Sequence, residues 1–98
     1  LAAFYRIEEL SVLVPLLKAL PQRRFILVGD SGERDPEIYG DLARQFPEPV
    51  TAILIRNVTG ESAESARYRE AFRDVPGDRW QVFREPGEIR PVRIGMPN

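Results

Sequence analysis

The feature that most constrains the fold is a stretch in which a buried strand runs into an acidic turn and then into a helix. It covers residues 25–39 and reads FILVGDSGERDPEIY. Its four consecutive apolar residues, 25–28, are typical of a short strand that is buried on both faces. Gly29 permits a sharp exit from that strand, and Pro36 suits the first turn of a helix. Ligands of open α/β sheets bind at the carboxyl ends of strands, so the turn is the first candidate for a functional site.

A second apolar run indicates a parallel partner for this strand. Between the two runs, apolar residues recur at helical spacing from Ile38 to Phe46, which predicts an amphipathic helix of about ten residues. Asp35 is predicted as its N-cap and Pro36 as its first helical residue. Residues 50–55, VTAILI, then predict a second buried strand. A strand, a helix and a strand over about 30 residues form one βαβ unit with a right-handed crossover.

The rest of the chain predicts further elements around this unit. They are a helix within 10–20, a helix over 61–72, a strand over 80–83 and an irregular tail from about residue 85. The first helix either begins within 11–14 or bends at Pro15. Residues 1–9 are expected to be a lead-in or the end of a missing element. The predicted fold class is α/β, with a Rossmann-like parallel sheet and flanking helices. Because the chain begins at Leu1 within a pattern, we expect it to be a fragment of a longer protein and its fold to be a partial domain.

Composition limits the functions that this chain can have. It has 98 residues, a formal net charge of −1, no cysteine and no histidine. Nucleic-acid binding is not expected, because it requires a basic surface. A Ser-His or Cys-His catalytic pair cannot be built from these residues alone. Nothing suggests an oxidising compartment, and no apolar run reaches the roughly 20 residues of a membrane span. We therefore expect a cytoplasmic protein without a transmembrane segment; peripheral contact with a membrane stays open.

The acidic turn carries two carboxylates that suit a divalent cation. Asp30 would lie at the end of the strand and Asp35 at the start of the helix, and a tight turn brings those positions together. Mg²⁺ prefers one or two carboxylates with water and phosphate oxygens. The helix N-terminus behind Asp35 would also attract an anion. Arg56, at the end of the second strand, would lie level with the turn, where it could neutralise a phosphate or pair with Asp30.

These residues also have purely structural explanations. Asp35 before Pro36 is a sound N-cap, Asp30 could satisfy turn amides, and Arg56 could be an ordinary surface arginine. Ser31 lies in a Gly-Asp-Ser-Gly sequence that resembles the serine motifs of chymotrypsin-like proteases and GDSL esterases. Both families need a histidine base, and the βαβ setting contradicts the protease. An esterase stays open, because its histidine could lie outside this chain.

Residues 14–58 resemble the C-terminal part of the phosphatidate phosphatase App1 catalytic domain, a family of the haloacid dehalogenase (HAD) superfamily, with weaker similarity through 80–83. The features that align with the family pattern are the aliphatic strand, GDSG at 29–32, Asp35-Pro36-Glu37, Tyr39, Phe46-Pro47 and Ile55-Arg56. The resemblance implies that residues 1–98 are the C-terminal portion of a single HAD-like domain. It also implies an Mg²⁺-dependent phosphatase whose substrate is a phosphorylated small molecule or lipid, phosphatidate being one candidate.

The resemblance also assigns roles to the residues of the turn. In this superfamily they form the fourth motif, whose acidic residues hold Mg²⁺ beside the nucleophile. Asp30 would be a direct or water-mediated metal ligand. Asp35 would orient metal-bound water or pair with a lysine, and Ser31 would be a supporting hydrogen-bonding residue at the catalytic site.

Three departures from the family pattern limit what this chain can do by itself. The nucleophile motif D-x-D-x-T is absent, and the phosphate-binding Ser or Thr of the second motif is not identifiable. Where the third motif has a lysine, this chain has Arg6, Glu8 and Glu9, and Lys18 would lie at the wrong end of its helix. The first hypothesis is therefore part of a phosphatase whose attacking carboxylate lies upstream. The alternative is a non-catalytic α/β binding or scaffold module that retains the fold.

Overall fold

The computed structural model describes residues 2–3, 10–20 and 22–92. Its elements in chain order are β1 (Ala2–Ala3), α1 (Leu10–Ala19), β2 (Phe25–Asp30), α2 (Asp35–Gln45), β3 (Val50–Arg56), α3 (Ala66–Ala71), β4 (Trp80–Phe83) and a 3-10 turn (Pro86–Glu88). The strands form one parallel sheet in the order β1-β2-β3-β4. Each strand therefore pairs with the next one along the chain. The predicted α/β class, with a parallel sheet flanked by helices, is confirmed.

The centre of the sheet is formed by β2 and β3, whose sequences are almost entirely apolar before their last residues. Leu27 pairs with Ile53, and the register continues to the final pair, Asp30 beside Arg56. Leu27 and Ile53 are fully buried. The pairing therefore places Arg56 level with the acidic turn, as the sequence predicts.

The helices pack against the sheet through one continuous apolar core. Its members include Leu17 of α1, Phe25 and Leu27 of β2, Tyr39 and Leu42 of α2, Ile53 and Ile55 of β3, and Tyr68 and Phe72 in and after α3. Helices α2 and α3 approach closely at Gly40, where an added β-carbon would lie 1.9 Å from the carbonyl oxygen of Ala71. This contact explains a glycine in the middle of α2, where it weakens helix propensity.

Two predicted helices differ from the structure in their bounds. Helix α2 begins one residue early: Asp35 is its first residue, not its N-cap, and Arg34 holds the N-cap position without a side-chain cap. Helix α3 covers only Ala66–Ala71 of the predicted 61–72. Before it, the hydroxyl of Ser62 accepts a hydrogen bond from the Glu64 amide, a local bond that competes with helix formation.

The N-terminal segment also differs from its prediction. Ala2–Ala3 pair with Ile26 and Leu27 as a short edge strand, so that part of the predicted lead-in belongs to the sheet. The remainder of the lead-in, and the end of the predicted tail, lie outside the described residues. Helix α1 begins at Leu10, and Pro15 lies inside it. Across the described ranges, no helix has the length and apolar character needed to cross a membrane.

Candidate functional site

The acidic turn is closed by the side chain of Asp30. Its Oδ1 accepts hydrogen bonds from the backbone N–H of Gly32, at 2.8 Å, and of Glu33, at 3.2 Å. The N–H of Ser31 donates to the carbonyl of Arg56 at 3.0 Å, so the turn stays attached to β3 beyond the end of β2. Asp30 thus does satisfy turn amides, as the structural explanation expects, and it does so with one of its two oxygens.

Asp35 lies behind Asp30 and is 4% exposed. Its Oδ2 accepts a hydrogen bond from the backbone N–H of Asp30 at 3.0 Å. The carboxylate takes the space beside residue 29, where a β-carbon would come within 2.3 Å of Oδ2. Gly29 is therefore needed for close packing against Asp35 as well as for the exit from the strand.

The two predicted metal-binding carboxylates are adjacent but differ in environment. Asp35 is buried and bonded to the start of the turn, whereas Asp30 is half-buried at the carboxyl edge of the sheet. Among the described residues, no hydrogen bond or ion pair is made to Asp30 Oδ2. A carboxylate oxygen is a hard ligand of the kind that Mg²⁺ prefers. The orientation of Oδ2 is fixed, because the other oxygen of the same carboxylate, Oδ1, is held by the turn amides.

Ser31 is 2% exposed and links the turn to the segment after β3. Its Oγ accepts hydrogen bonds from the N–H of Val58 at 2.9 Å and of Thr59 at 3.2 Å, and it shares a hydrogen bond of 2.8 Å with the Thr59 hydroxyl. A buried hydroxyl with these contacts is poorly placed to attack a substrate. The geometry favours the hydrogen-bonding role of Ser31 over the nucleophile of an esterase.

Arg56 is exposed beside Asp30 at the end of β3. It forms no hydrogen bond or ion pair through its side chain with the described part of the chain. Its guanidinium group is therefore accessible at the same edge as Asp30 Oδ2. Lys18 is in the last turn of α1, the end of the helix at which the sequence predicts it, and not near the helix start where the family's lysine would lie. Arg6, Glu8 and Glu9 lie outside the described residues.

Sequence reasoning missed Arg67, which lies against the turn from α3. Its guanidinium donates to the carbonyls of Ser31, at 2.6 Å, and Glu33, at 2.8 Å. It also forms a two-point ion pair with Glu37, with N–O distances of 2.9 and 3.2 Å, and a longer one of 3.6 Å with Glu61. These partners are up to 36 residues away in sequence. No local pattern could therefore have indicated the contact.

The ion pairs shift the protonation of the groups around Arg67. Burial alone would raise the pKa of Glu37, but the hydrogen bonds and charge of Arg67 outweigh it and lower that pKa below its usual value. The pKa of Glu61 is also lowered, first by the hydrogen bond from Thr59. The hydrogen bonds to Glu37 raise the pKa of Arg67. Glu37 and Arg67 therefore stay charged in the folded protein at neutral pH.

The described ranges contain no group of three or more His, Cys, Asp or Glu side chains arranged to hold a metal ion. The site that the sequence predicts consists instead of Asp30 and its neighbour Asp35.

Comparison with known proteins identifies the family. Residues 6–57, just over half of the chain, match the family described as phosphatidate phosphatase APP1, catalytic domain. The chain belongs to this family. The APP1 match includes the strand β2, the acidic turn, α2 and the end of β3, so it covers Asp30, Asp35, Ser31 and Arg56.

Individual relatives extend the APP1 similarity. The chain is 48% identical over 82 residues to the protein named phosphatidate phosphatase APP1 of Saccharomyces cerevisiae, a match that covers 84% of this chain and 12% of that protein. It is 39% identical over 51 residues to an uncharacterized protein of Schizosaccharomyces pombe, which covers 52% of this chain and 8% of that protein. The chain thus spans a small part of both relatives. No solved structure matches it significantly.

Proposed function

We propose that this chain is part of an Mg²⁺-dependent phosphomonoester hydrolase of the phosphatidate phosphatase APP1 type. Its family membership supports the reaction class, because the similar Saccharomyces cerevisiae protein is named a phosphatidate phosphatase. The proposal includes membership of the HAD superfamily. It also includes a C-terminal position in the catalytic domain, with the attacking carboxylate in an upstream D-x-D-x-T motif.

The observation that carries the proposal is the state of the Asp30 carboxylate. One oxygen is held by the amides of Gly32 and Glu33, and the other has no partner among the described residues. The turn amides thus fix the direction of a side chain that lies at the carboxyl end of a central strand. Ligands of α/β sheets bind at this edge.

The residues around Asp30 have complementary roles in this proposal. Asp30 Oδ2 would hold Mg²⁺, and Asp35, buried behind it, accepts the Asp30 amide and would contact the ion only through water. When bound, Mg²⁺ would neutralise charge on the phosphate oxygens, which favours attack of a carboxylate on the phosphorus atom. Ser31 holds the turn against the segment after β3. Arg56, exposed at the same edge, donates hydrogen bonds to the substrate phosphate.

The proposed substrate is a phosphorylated small molecule or lipid, and phosphatidate is the first candidate because of the relative's name. Phosphatidate is a membrane lipid, so we propose a cytoplasmic enzyme that reaches its substrate by peripheral membrane contact. Nucleic acid is not among the proposed partners, since the chain carries a formal net charge of −1.

The direct test measures Mg²⁺-dependent phosphate release from phosphatidate by the complete gene product. Asp30→Asn keeps the side-chain shape and an oxygen for the turn amides but removes the charge. We expect turnover to fall on the order of 100-fold, as is typical when the environment of a catalytic metal is altered. Asp78→Asn is the matched control, because Asp78 is exposed in the loop before β4.

Two results would contradict the proposal. Undiminished Mg²⁺-dependent hydrolysis by Asp30→Asn, with Asp78→Asn also fully active, would remove Asp30 from the catalytic site. A folded complete gene product that hydrolyses no phosphomonoester, with or without Mg²⁺, would favour the non-catalytic α/β module instead.

A further inference from the structure

Arg67 forms more hydrogen bonds with the acidic turn and its neighbour Glu37 than an ordinary surface ion pair would. Four hydrogen bonds of its guanidinium reach the Ser31 carbonyl, the Glu33 carbonyl and both oxygens of Glu37. The side chain is 26% exposed, so these bonds are partly shielded from water. This one side chain therefore links α3 both to the turn and to Glu37 of α2, in addition to the packing of the two helices at Gly40.

One of these bonds reaches the peptide group that holds Asp30. The carbonyl of Ser31 and the N–H of Gly32 belong to the same planar peptide unit. Arg67 donates to that carbonyl at 2.6 Å, and the N–H donates to Asp30 Oδ1 at 2.8 Å. A cation on the carbonyl side fixes the peptide plane and polarises its N–H, which strengthens the bond on the other side.

We propose that Arg67 is a positioning residue that sets the orientation of the Asp30 carboxylate through the Ser31–Gly32 peptide group. This inference rests on the proposed function, in which Asp30 binds Mg²⁺. Arg67 lies outside residues 6–57, the range that matches the APP1 family. The proposed site thus depends on the segment between β3 and β4 as well as on the acidic turn.

Arginine suits this role better than lysine. Its planar guanidinium presents several donors in a fixed geometry, whereas an ammonium group is a single charged point. Here the donors divide between Glu37, which fixes the guanidinium, and the two carbonyls, which receive its remaining bonds. Removing Glu37 should weaken the anchor but leave the bond to Ser31, whereas removing Arg67 loses both.

Comparing these two removals distinguishes a positioning role of Arg67 from a purely structural one. Arg67→Gln and Glu37→Gln both break the ion pair, so both should lower the melting temperature. Only Arg67→Gln removes the donor to the Ser31 carbonyl. In the complete gene product, site-resolved hydrogen exchange at Gly32 should therefore accelerate about 10-fold in Arg67→Gln and much less in Glu37→Gln. Arg69→Gln, an exposed arginine two residues away on α3, should leave this rate unchanged.

The functional readout is the Mg²⁺ concentration that gives half-maximal activity. We expect it to rise about 10-fold in Arg67→Gln, within the range for residues that orient metal ligands. Arg67→Lys should recover part of the loss, and Glu37→Gln should show a smaller rise. Equal effects of Arg67→Gln and Glu37→Gln on Gly32 exchange and on the Mg²⁺ requirement would overturn the inference.

The two proposals fail separately. If Asp30→Asn abolishes activity while Arg67→Gln keeps the normal Mg²⁺ requirement and normal Gly32 exchange, Arg67 has no positioning role and the proposed function stands. If Asp30→Asn remains fully active, the proposed function fails. Altered Gly32 exchange in Arg67→Gln would then show only that Arg67 orders the turn.

Discussion

Gly29 and Asp35 are packed so closely that a β-carbon on residue 29 would lie 2.3 Å from Asp35 Oδ2 and 2.7 Å from the Asp35 β-carbon. The same Asp35 oxygen accepts the backbone N–H of Asp30. The glycine at the end of β2 therefore makes room for the buried carboxylate, and this carboxylate fixes the start of the turn. The half-buried carboxylate of Asp30 depends on both.

Gly29→Ala should destabilise the protein, because neither Asp35 nor the strand can move away cheaply. Inserting a methyl group into tight packing typically costs about 1–3 kcal/mol. Gly77→Ala is the control: a β-carbon there meets no atom within 4 Å, so its free energy of unfolding should change little or rise slightly. Urea denaturation measures both. Equal stability of the two variants would show that the packing around Asp35 is looser than described.

Ser31→Ala should lower the free energy of unfolding, because Ser31 is a structural hydrogen-bonding residue and not a nucleophile. The substitution leaves the Val58 and Thr59 amides without their shared acceptor and removes the hydrogen bond with the Thr59 hydroxyl. Loss of one buried partner costs about 1–3 kcal/mol. The measurement is the free energy of unfolding, accompanied by labelling with a fluorophosphonate probe. Covalent labelling of Ser31 in the folded protein would contradict its buried hydrogen-bonding role and revive the esterase hypothesis.

The ion pair between Glu37 and Arg67 predicts a pH dependence of stability. Because the pKa of Glu37 is lowered in the folded protein, its contribution is present above the ordinary glutamate pKa of about 4.3. It is lost as the pH falls through the lower pKa of the folded state. The pair is partly exposed, so the expected contribution is only about 0.5–1 kcal/mol.

The measurement for this pair is the difference in unfolding free energy between the wild type and Glu37→Gln as a function of pH. The difference should be constant near neutral pH and should shrink in acid. Glu61 is present in both proteins, so its own lowered pKa largely cancels in the subtraction. A difference that stays the same or grows in acid would contradict the assigned sign of the shift.

The sequence was sufficient to predict the parts of the fold that depend on local pattern. The apolar runs of β2 and β3 and the helical spacing within α2 are local signals, and the structure contains all three elements near their predicted bounds. The level placement of Arg56 and Asp30 followed from the parallel βαβ unit. The short strand β1 could not be predicted, because two alanines carry no strand pattern and become a strand only by pairing with β2.

The sequence indicated that Asp30 and Asp35 lie close together, but it did not indicate the environment of either side chain. Spacing brought Asp30 and Asp35 together, yet it could not show that one is buried and the other half-exposed. That distinction arises from the packing of Asp35 against Gly29. Arg67 was missed because its contacts with the turn join segments more than 30 residues apart. Such contacts depend on where α3 packs, which no local pattern reports.

The central claim, that Asp30 is a ligand of Mg²⁺, is tested most directly by calorimetric titration of the complete gene product with Mg²⁺. The wild type should bind the ion with a measurable heat, and Asp78→Asn should bind it equally well. Asp30→Asn should bind it at least about 10-fold more weakly while remaining folded. Equal Mg²⁺ affinity of the wild type and Asp30→Asn, or no binding by the folded wild type, would contradict the account.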